Sequence, residues 1–300
     1  MKNDRKALAF GLGAVLFWST VATAFKLALA ELTVLQLLMV AICTSALALS
    51  AVFAWQGRLS ELFASLADTP LAYLAMGGLN PLLYYGMVLS AYDLLPAQQA
   101  QTINYTWAIT LALLSVPVLG HRLARRDWVA VALGYLGVVI IATEGDPLSL
   151  QFTSVPGVVL ALASTLVWAA FWLLNARREQ DADIALAGYF ICAAPISLAL
   201  CLTLGGGLPA PGLGLASAVY VGFFEMGFTW LLWSSALRYA SNAARVGNLI
   251  FLAPLLSLGL IAAVLGETIH PATLIGLALI GPGIIFQQRG ADAKPQSPER

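Results

Sequence analysis

The chain has 300 residues, of which 60% are hydrophobic and only 10% are charged, and its formal net charge is zero. A typical soluble domain carries about 25% charged residues, because its surface needs solvated groups that keep copies apart. This composition excludes a soluble enzyme and a disordered protein, and the neutral charge balance argues against a nucleic-acid partner. The class that remains is an integral membrane protein embedded in a lipid bilayer.

Apolar runs of membrane-spanning length fill most of the sequence. A helix that crosses the hydrocarbon core needs about 20 apolar residues. The first run follows three basic residues, as a signal peptide does, but its apolar stretch continues past the candidate cleavage site, so we interpret it as an uncleaved span. We predict ten spans, at residues 7–29, 34–54, 71–91, 96–119, 128–144, 155–175, 185–204, 213–236, 243–265 and 271–288.

The basic residues indicate the orientation of these spans. Cytoplasmic loops carry an excess of Lys and Arg. With the N-terminus in the cytoplasm, 14 of the 15 basic residues fall in cytoplasmic segments and none falls in an external loop. The remaining one, Lys26, lies within the first span, where it either snorkels to the headgroups or attracts a substrate carboxylate. We therefore predict that both termini are cytoplasmic.

Short matches recur in the same order in the two halves of the chain. Trp18 corresponds to Trp168 at an offset of 150 residues, and Asn80 corresponds to Glu225 at an offset of 145. Five spans per half, an odd number, place the halves in opposite orientations, as in secondary transporters that bind substrate between inverted repeats. A duplicated membrane protein without a transport role is the alternative. We predict an all-α membrane protein of ten transmembrane helices as two five-helix inverted repeats (5+5), residues 1–146 and 147–289, with a cytoplasmic tail at 290–300.

Several motifs also match a known family. Their residues are Phe17-Trp18-Ser19, Pro254, Gly266-Glu267, Gly276 and Gly283. Through them the chain resembles the drug/metabolite transporter superfamily with paired EamA-type domains, over nearly its whole length. The segment Asn104-Tyr105-Thr106-Trp107 resembles the bacterial aromatic amino acid exporters. The first half departs from the pattern, since His121 and Ala108 stand where the second half has Glu267 and Pro254. The resemblance implies ten helices, a central cavity and outward movement of small organic solutes.

Polar residues in the middle of a span mark the candidate solute site. A charged side chain there costs about 2.5–3.5 kcal/mol on insertion scales, so it faces a wet cavity or a partner, or it is protonated. Glu225 lies near the middle of the eighth span, and Asn80 lies at the matching position of the third. Glu225 either meets a substrate amine or a coupling proton, or it is a neutral acid that bonds neighbouring helices.

Aromatic and amide side chains add to this candidate site. Trp168 and Trp172 share one face of the sixth span, which is typical of a wall that binds rings and cations; an interfacial aromatic belt is the alternative. The polar residues of the fourth span cannot all face lipid, so they either contact a ligand or bond other helices. We predict a substrate cavity lined by Asn80, Tyr84, Gln101, Tyr105, Trp107, Trp168, Trp172, Glu225 and Asn248.

Prolines interrupt five of the predicted spans. Each removes a helical hydrogen bond and permits a kink, which makes it a candidate hinge for opening one mouth of the cavity while closing the other. The alternative is that proline is simply tolerated in membrane helices. These candidate hinges are Pro81, Pro117, Pro195, Pro254 and Pro282.

Residues suited to enzymatic chemistry are scarce. The two histidines, His121 and His270, fall on opposite sides of the membrane, and the three cysteines have no metal-ligand spacing. We predict that the protein is not an enzyme and needs neither a metal nor a cofactor. Because no nucleotide-binding motif is present, transport must use the solute gradient or an ion gradient, with a proton at Glu225 as the candidate coupling ion.

Together these observations predict a secondary exporter of amino acids, mainly aromatic and other apolar ones, in the bacterial inner membrane. One five-helix half would rock against the other around a midplane site. One alternative keeps the fold and changes the cargo to drugs, nucleosides or other small metabolites. The other is a polytopic membrane enzyme or scaffold.

Overall fold

The structure is a computed structural model that describes residues 2–119, 125–146, 148, 152–178, 180–241 and 246–291, with the side chains of 119, 126, 127, 130, 248, 251 and 282–291 outside the description. Within these ranges the chain forms helices and no strands. The α-helices are α1 (Asp4–Leu29), α2 (Val34–Trp55), α3 (Leu59–Asp68), α4 (Pro70–Gly77), α5 (Tyr84–Leu94), α6 (Ala97–Asn104), α7 (Trp107–Leu119), α8 (Arg125–Ala142), α9 (Val155–Asn175), α10 (Ala182–Leu204), α11 (Leu213–Tyr220), α12 (Thr229–Tyr239), α13 (Leu252–Leu260) and α14 (Pro271–Ala291). Three π-helical segments, π1 (Gly78–Leu83), π2 (Val221–Phe228) and π3 (Ile261–Leu265), and a 3₁₀ turn (Asn248–Phe251) join some of them.

Five of these helices are long and apolar enough to cross a membrane. They are α1, α2, α9, α10 and the continuous run from α11 through α12. A sixth candidate is bent, since α3 meets the run Pro70–Leu94 at 96°. In the remaining predicted spans, α8 and α14 are continuous helices, whereas the predicted span 96–119 is divided into α6 and α7. The protein is therefore an all-helical membrane protein in which only some spans are straight.

The helix starts follow from local sequence. The Asn3 side chain accepts a hydrogen bond from the Lys6 amide at the start of α1, and Thr33 forms a reciprocal capping box with Gln36 at the start of α2. The Ser154 side chain accepts a hydrogen bond from the Gly157 amide at the start of α9. These are the residue types that satisfy the free amides of a first turn. Because lipid offers no hydrogen bonds, such caps allow helices to end close to the apolar region.

Two helix breaks lie at matching positions in the halves of the chain. The run Pro70–Leu94 passes through π1, where Asn80 leaves helical geometry (φ −145°, ψ 115°) just before Pro81. The run Leu213–Tyr239 passes through π2, where the hydroxyl of Ser45 in α2 donates to the carbonyl oxygen of Met226 at 2.8 Å. Short π-helical turns are uncommon and are frequent at functional sites. These two turns carry Asn80 and Glu225.

Helices of each half pack mainly on helices of the other half. Helix α1 packs on α12 and α13, and α9 packs on α5 and α7. Helix α2 lies along α10, and α8 lies along α14. When α1 is exchanged with α9, α5 with α12 and α7 with α13, the contacts of α1 become the contacts of α9. The pairs α2–α10 and α8–α14 each join corresponding helices of the two halves. The packing therefore has an approximate twofold relation between the halves.

A pair of glycines shows the same relation at atomic scale. A Cβ atom on Gly77 would lie 2.6 Å from the carbonyl oxygen of Tyr189 in α10, and one on Gly222 would lie 2.5 Å from that of Ala41 in α2. Both helix crossings are closer than any side chain permits, so both positions require glycine. Since the two glycines are 145 residues apart, the same close crossing occurs once in each half.

Candidate functional site

A cavity of about 350 Å³ lies where the two halves meet. It is bounded by α1, α5, α6, α7, α9, π2, α12 and the segment 247–250, so helices of both halves contribute to its wall. Eleven of its 20 lining residues are aromatic, and six of those are tryptophans. The lining residues are Trp18, Val21, Ala22, Phe25, Tyr84, Tyr85, Val88, Tyr92, Gln101, Asn104, Tyr105, Trp107, Leu111, Trp168, Trp172, Glu225, Trp230, Trp233, Gly247 and Ile250.

Trp168 lies at the centre of the aromatic wall. Its ring centroid is 4.5 Å from that of Tyr84, 5.7 Å from that of Trp230 and 5.9 Å from that of Trp172. Trp107 lies 6.4 Å away in an edge-to-face arrangement. Such ring pairs hold one another in place, so the faces and edges they leave open form a rigid surface for a flat solute.

Glu225 is the acidic residue of the cavity. Its Oε1 accepts a hydrogen bond from the hydroxyl of Tyr85 at 3.0 Å. Its Oε2 is buried and has no hydrogen-bond partner among the described residues. Among the described residues that line the cavity there is no Lys, Arg or His. This part of the cavity therefore combines one carboxylate with rings that attract cations, and one carboxylate oxygen is left without a hydrogen-bond partner.

The amides of α6 both line the cavity and link helices. Asn104 accepts a hydrogen bond from the hydroxyl of Tyr84 at 3.3 Å, and its amide group donates to Ser164 in α9 at 3.0 Å. Gln101 accepts a hydrogen bond from Ser257 in α13 at 2.8 Å. Helix–helix bonding and cavity lining are therefore properties of the same residues rather than alternatives.

The fold and cavity can be compared with known proteins. The sequence profile of one family matches the chain twice, at residues 5–143 and 155–287. The chain belongs to the EamA-like transporter family. Members of this family are transporters rather than enzymes.

Relatives of this EamA transporter include three curated proteins. One, the "Aromatic amino acid exporter YddG" of Ancylobacter novellus, is 26% identical over 67% of this chain and 70% of its own. The "Probable amino-acid metabolite efflux pump" of Salmonella typhimurium is 25% identical over 65% and 69%. The "Uncharacterized transporter YvbV" of Bacillus subtilis is 25% identical over 72% and 70%. A protein of known crystal structure is 22% identical with a TM-score of 0.67, covering 95% of this chain and 97% of that one, and it shares the fold.

Seven of the nine residues predicted for the cavity line it in this EamA transporter. Asn80 is buried in π1 outside the lining, and its Oδ1 has no hydrogen-bond partner among the described residues. The side chain of Asn248 lies outside the described part of the structure. The seven residues that line the cavity are Tyr84, Gln101, Tyr105, Trp107, Trp168, Trp172 and Glu225.

Several aromatic residues of the cavity lining were not predicted from the sequence. Tyr85 follows Tyr84 directly and holds Glu225, while Trp230 and Trp233 follow Glu225 at positions +5 and +8. Trp230 at +5 lies off the face that a regular helical period predicts from Glu225, because the π-helical turn changes the period, whereas Trp233 at +8 fits that period and could have been found by spacing. Trp18, the repeat partner of Trp168, was a signal that the inverted halves place both rings near one cavity.

The predicted hinge prolines occupy different settings. Pro81 lies in π1 next to the non-helical Asn80, and Pro254 lies in α13 shortly after the 3₁₀ turn. Pro195 lies within the continuous helix α10, and Pro117 lies near the end of α7. The side chain of Pro282 lies outside the described part of the structure. Pro81 therefore coincides with an actual break in a helix, whereas α10 continues through Pro195.

The end of the cavity farther from the N-terminus is closed. Phe25 and Tyr92 are 3% and 4% exposed, and their rings meet edge to face with centroids 5.1 Å apart. The ammonium of Lys26 donates to the carbonyl oxygens of Tyr92 at 2.8 Å and Leu95 at 3.1 Å. Lys26 thus joins α1 to the end of α5, and it does not line the cavity.

A polar cluster reinforces the closed end; we call Glu267, Gln98 and the residues they bond the closed-end latch. The Glu267 carboxylate accepts hydrogen bonds from the amides of Ala97 at 2.9 Å and Gln98 at 3.4 Å, the first residues of α6. The side-chain Oε1 of Gln98 accepts from the His270 backbone amide at 2.9 Å and the Thr273 hydroxyl at 2.8 Å. A carboxylate at a helix N-terminus satisfies free amides and complements the helix dipole. The latch therefore ties the segment between α13 and α14 to α6.

The opposite end of the cavity is open. Trp107, Leu111, Trp172, Trp233 and Ile250 are partly exposed, in contrast to the buried residues of the closed end. This end lies toward the N-terminus, because the Asn3 amide bonds the carbonyl oxygen of Tyr239 at the end of α12. Among the described residues, the accessible end of the cavity therefore lies on the side where the chain begins.

Proposed function

We propose that this EamA transporter is a secondary exporter of amino acids, aromatic and other apolar ones, in the bacterial inner membrane. The observation that carries the proposal is a single cavity between the two halves, walled by six tryptophans around one carboxylate. Its volume of about 350 Å³ is near the lower end of the range for small-molecule sites, which suits one small organic solute. Two relatives are named for amino-acid transport, which favours the same cargo here.

We propose further that ten helices cross the membrane as two inverted sets of five, with both termini in the cytoplasm. The twofold exchange of helix contacts supports this layout, as do the matching π-helical turns and the paired glycines Gly77 and Gly222. The two matched segments, 5–143 and 155–287, favour halves of the predicted extent. With this orientation the open mouth faces the cytoplasm, the side from which an exporter loads its solute.

The packing suggests which helices move together. Helix α1 is packed on α12 and α13 of the second half, and α9 is packed on α5 and α7 of the first. The units that rock are then not the two halves of the sequence, as the sequence alone suggests, but two groups that have exchanged their first helices. The pairs α2–α10 and α8–α14, which map onto themselves, would form the supports between the groups. Alternating access follows when the closed-end contacts break and the rings near the open mouth meet.

Glu225 is the residue we propose for coupling. Its Oε2 has no hydrogen-bond partner in the part of the chain that the structure describes, so a solute amine or a proton would neutralise it in a low-dielectric cavity. A carboxylate that binds either amine or proton links the two, because the two cannot occupy it together. Export would then be driven by the solute gradient together with inward proton movement.

A second cargo class deserves a direct comparison because a tryptophan wall stacks on any flat ring. Drugs, nucleosides and other small metabolites also present such rings. An aromatic solute without an amine tests this alternative, since it can use the wall but not Glu225.

Counterflow in proteoliposomes tests the proposed function. Vesicles preloaded with unlabelled tryptophan, phenylalanine or leucine should accumulate the labelled amino acid, whereas vesicles preloaded with aspartate should not. Nucleosides and neutral ring compounds should fail to compete. Absence of counterflow with all twenty amino acids, from protein that is folded by thermal-shift assay, would contradict the amino-acid cargo. Uptake that ignores a pH gradient and survives Glu225→Gln would contradict proton coupling.

A further inference from the structure

We propose that the cavity recognises the amine and the ring of its solute but not a carboxylate, so that aromatic amines lacking the carboxyl group bind at least as well as the corresponding amino acids. This proposal rests on the proposed function and concerns the same site. It names the substrate class as aromatic cations, of which an aromatic amino acid is the member that carries an additional, unmatched negative charge.

The charge distribution of the lining carries this inference. Among the described residues that line the cavity, Glu225 is the one charged residue, and the remaining polar groups are amides, phenols and indoles. Tyr85 donates to one carboxylate oxygen of Glu225, and the other, Oε2, is buried without a hydrogen-bond partner among the described residues, so it is the acceptor left for an amine. Six indoles line the same cavity, and indole is the ring that attracts cations best.

Among the described residues, Lys26 is the cation next to the lining residue Phe25, and its ammonium already donates hydrogen bonds to the backbone. Lys26 lies close to the closed end, but its ammonium donates to the carbonyl oxygens of Tyr92 and Leu95 and does not line the cavity. A solute carboxylate would therefore be left with neutral donors such as the Trp172 indole N–H, which has no partner among the described residues. A buried charge that is not paired is costly, and this one would also lie in the same cavity as Glu225.

Three indole compounds separate the contributions of the two charged groups. Tryptophan carries an amine and a carboxylate, tryptamine carries only the amine, and indole-3-propionate carries only the carboxylate. Binding of each to the full-length detergent-solubilised protein is measured by isothermal titration calorimetry at neutral pH. Calorimetry is used because neutral tryptamine crosses membranes unaided. We expect tryptamine to bind at least as tightly as tryptophan, and indole-3-propionate to bind about tenfold more weakly or worse, since one unmatched charge is worth about 1.4 kcal/mol or more.

Two variants complete the test. Glu225→Gln removes the negative charge and should weaken tryptamine binding by about tenfold or more, while weakening indole-3-propionate least or strengthening it. The matched control is Glu61→Gln, which alters an exposed acid in α3 away from the cavity and should leave all three affinities unchanged.

The outcomes distinguish this inference from the proposed function. Tryptophan that binds more than about threefold more tightly than tryptamine would overturn the inference and leave amino-acid export standing. Tryptamine that binds when no amino acid binds or is transported would support the inference and overturn the proposed cargo. No binding of any of the three to folded protein would overturn both.

Discussion

The two π-helical turns are the same backbone feature, but they carry different side chains. In π1 the turn carries Asn80, which is buried outside the cavity lining, and in π2 it carries Glu225, which lines the cavity. The surrounding glycine crossings match. Both halves therefore keep the break in the helix, but only the turn of the second half places a polar side chain, that of Glu225, in the cavity lining.

We expect the largest effect from substituting the side chains at these two turns one at a time. Glu225→Gln should lower tryptophan counterflow per folded molecule by about 30-fold or more, because truncating one partner of a buried charge interaction costs about 2–5 kcal/mol. Asn80→Ala should change it by less than about twofold, since the Oδ1 atom of Asn80 has no hydrogen-bond partner among the described residues and Asn80 does not line the cavity. Equal losses in the two variants would mean that the turns, and not the carboxylate, are what transport requires.

A second comparison concerns two tryptophans in different surroundings. Trp168 is 7% exposed at the centre of the aromatic wall, and Trp55 is 88% exposed at the end of α2. Trp168→Ala should weaken tryptophan binding by about tenfold, because it removes stacking and disorders its ring neighbours. Trp55→Ala should leave binding unchanged. The measurement is calorimetric binding to protein of equal thermal stability, and an unchanged affinity in Trp168→Ala would mean that this ring only packs.

The third prediction compares two carboxylates that perform the same local task. Glu267 accepts from the first amides of α6, and Glu31 accepts from the Gly214 amide at the start of α11 at 2.6 Å. Glu267 connects the two proposed moving groups, whereas Glu31, at the end of α1, caps a helix on which α1 packs. Loss of a helix cap costs about 0.5–2 kcal/mol. Glu267→Gln should therefore shift the population toward opening of the closed end, and Glu31→Gln should only lower stability.

Accessibility of a buried lining position measures this shift. Val88 is 2% exposed in the cavity wall near the closed end. A Val88→Cys substitution, in a background where Cys43, Cys192 and Cys201 are replaced by serine, should react several-fold faster with an externally added, membrane-impermeant maleimide when Glu267→Gln is present. The same rate with Glu267→Gln and Glu31→Gln would contradict a role for the closed-end latch in holding one state.

The membrane class and the duplication could be predicted from the sequence because both leave a signal along the chain. Charge depletion is visible in the composition, and ten apolar runs are visible in the order of the residues. The pairs Trp18 and Trp168, and Asn80 and Glu225, indicate the offset between the halves. Aromatic and polar residues inside apolar spans also predicted seven of the 20 residues that line the cavity, since lipid tolerates such residues poorly.

What the sequence could not provide depends on helix geometry and on contacts between distant segments. The π-helical turn at Glu225 breaks the regular period, so Trp230 at +5 could not be assigned to the cavity by spacing. The contacts of Lys26 with backbone carbonyls leave no residue pattern, and they differ from both roles expected for it. The exchange of first helices between halves is likewise a property of packing, which a list of spans does not contain.

The smallest expected effect concerns the ion pair near the open mouth, where Arg58 and Asp181 lie 3.1 Å apart. Partial burial opposes the charged form of Asp181, but hydrogen bonds from the Ile184 amide, the Arg58 guanidinium and the Asp183 amide outweigh it and lower the pKa of Asp181. An acid with a lowered pKa stabilises the fold above its unfolded pKa, and this contribution is lost only as the pH falls through the folded value. The pair should therefore be intact throughout pH 5–8. Because the pair is largely exposed, Arg58→Ala should shift neither the Tm nor the counterflow rate measurably. A clear rise in counterflow would instead show that this pair, which joins the segment after α2 to the start of α10, restrains the transport motion.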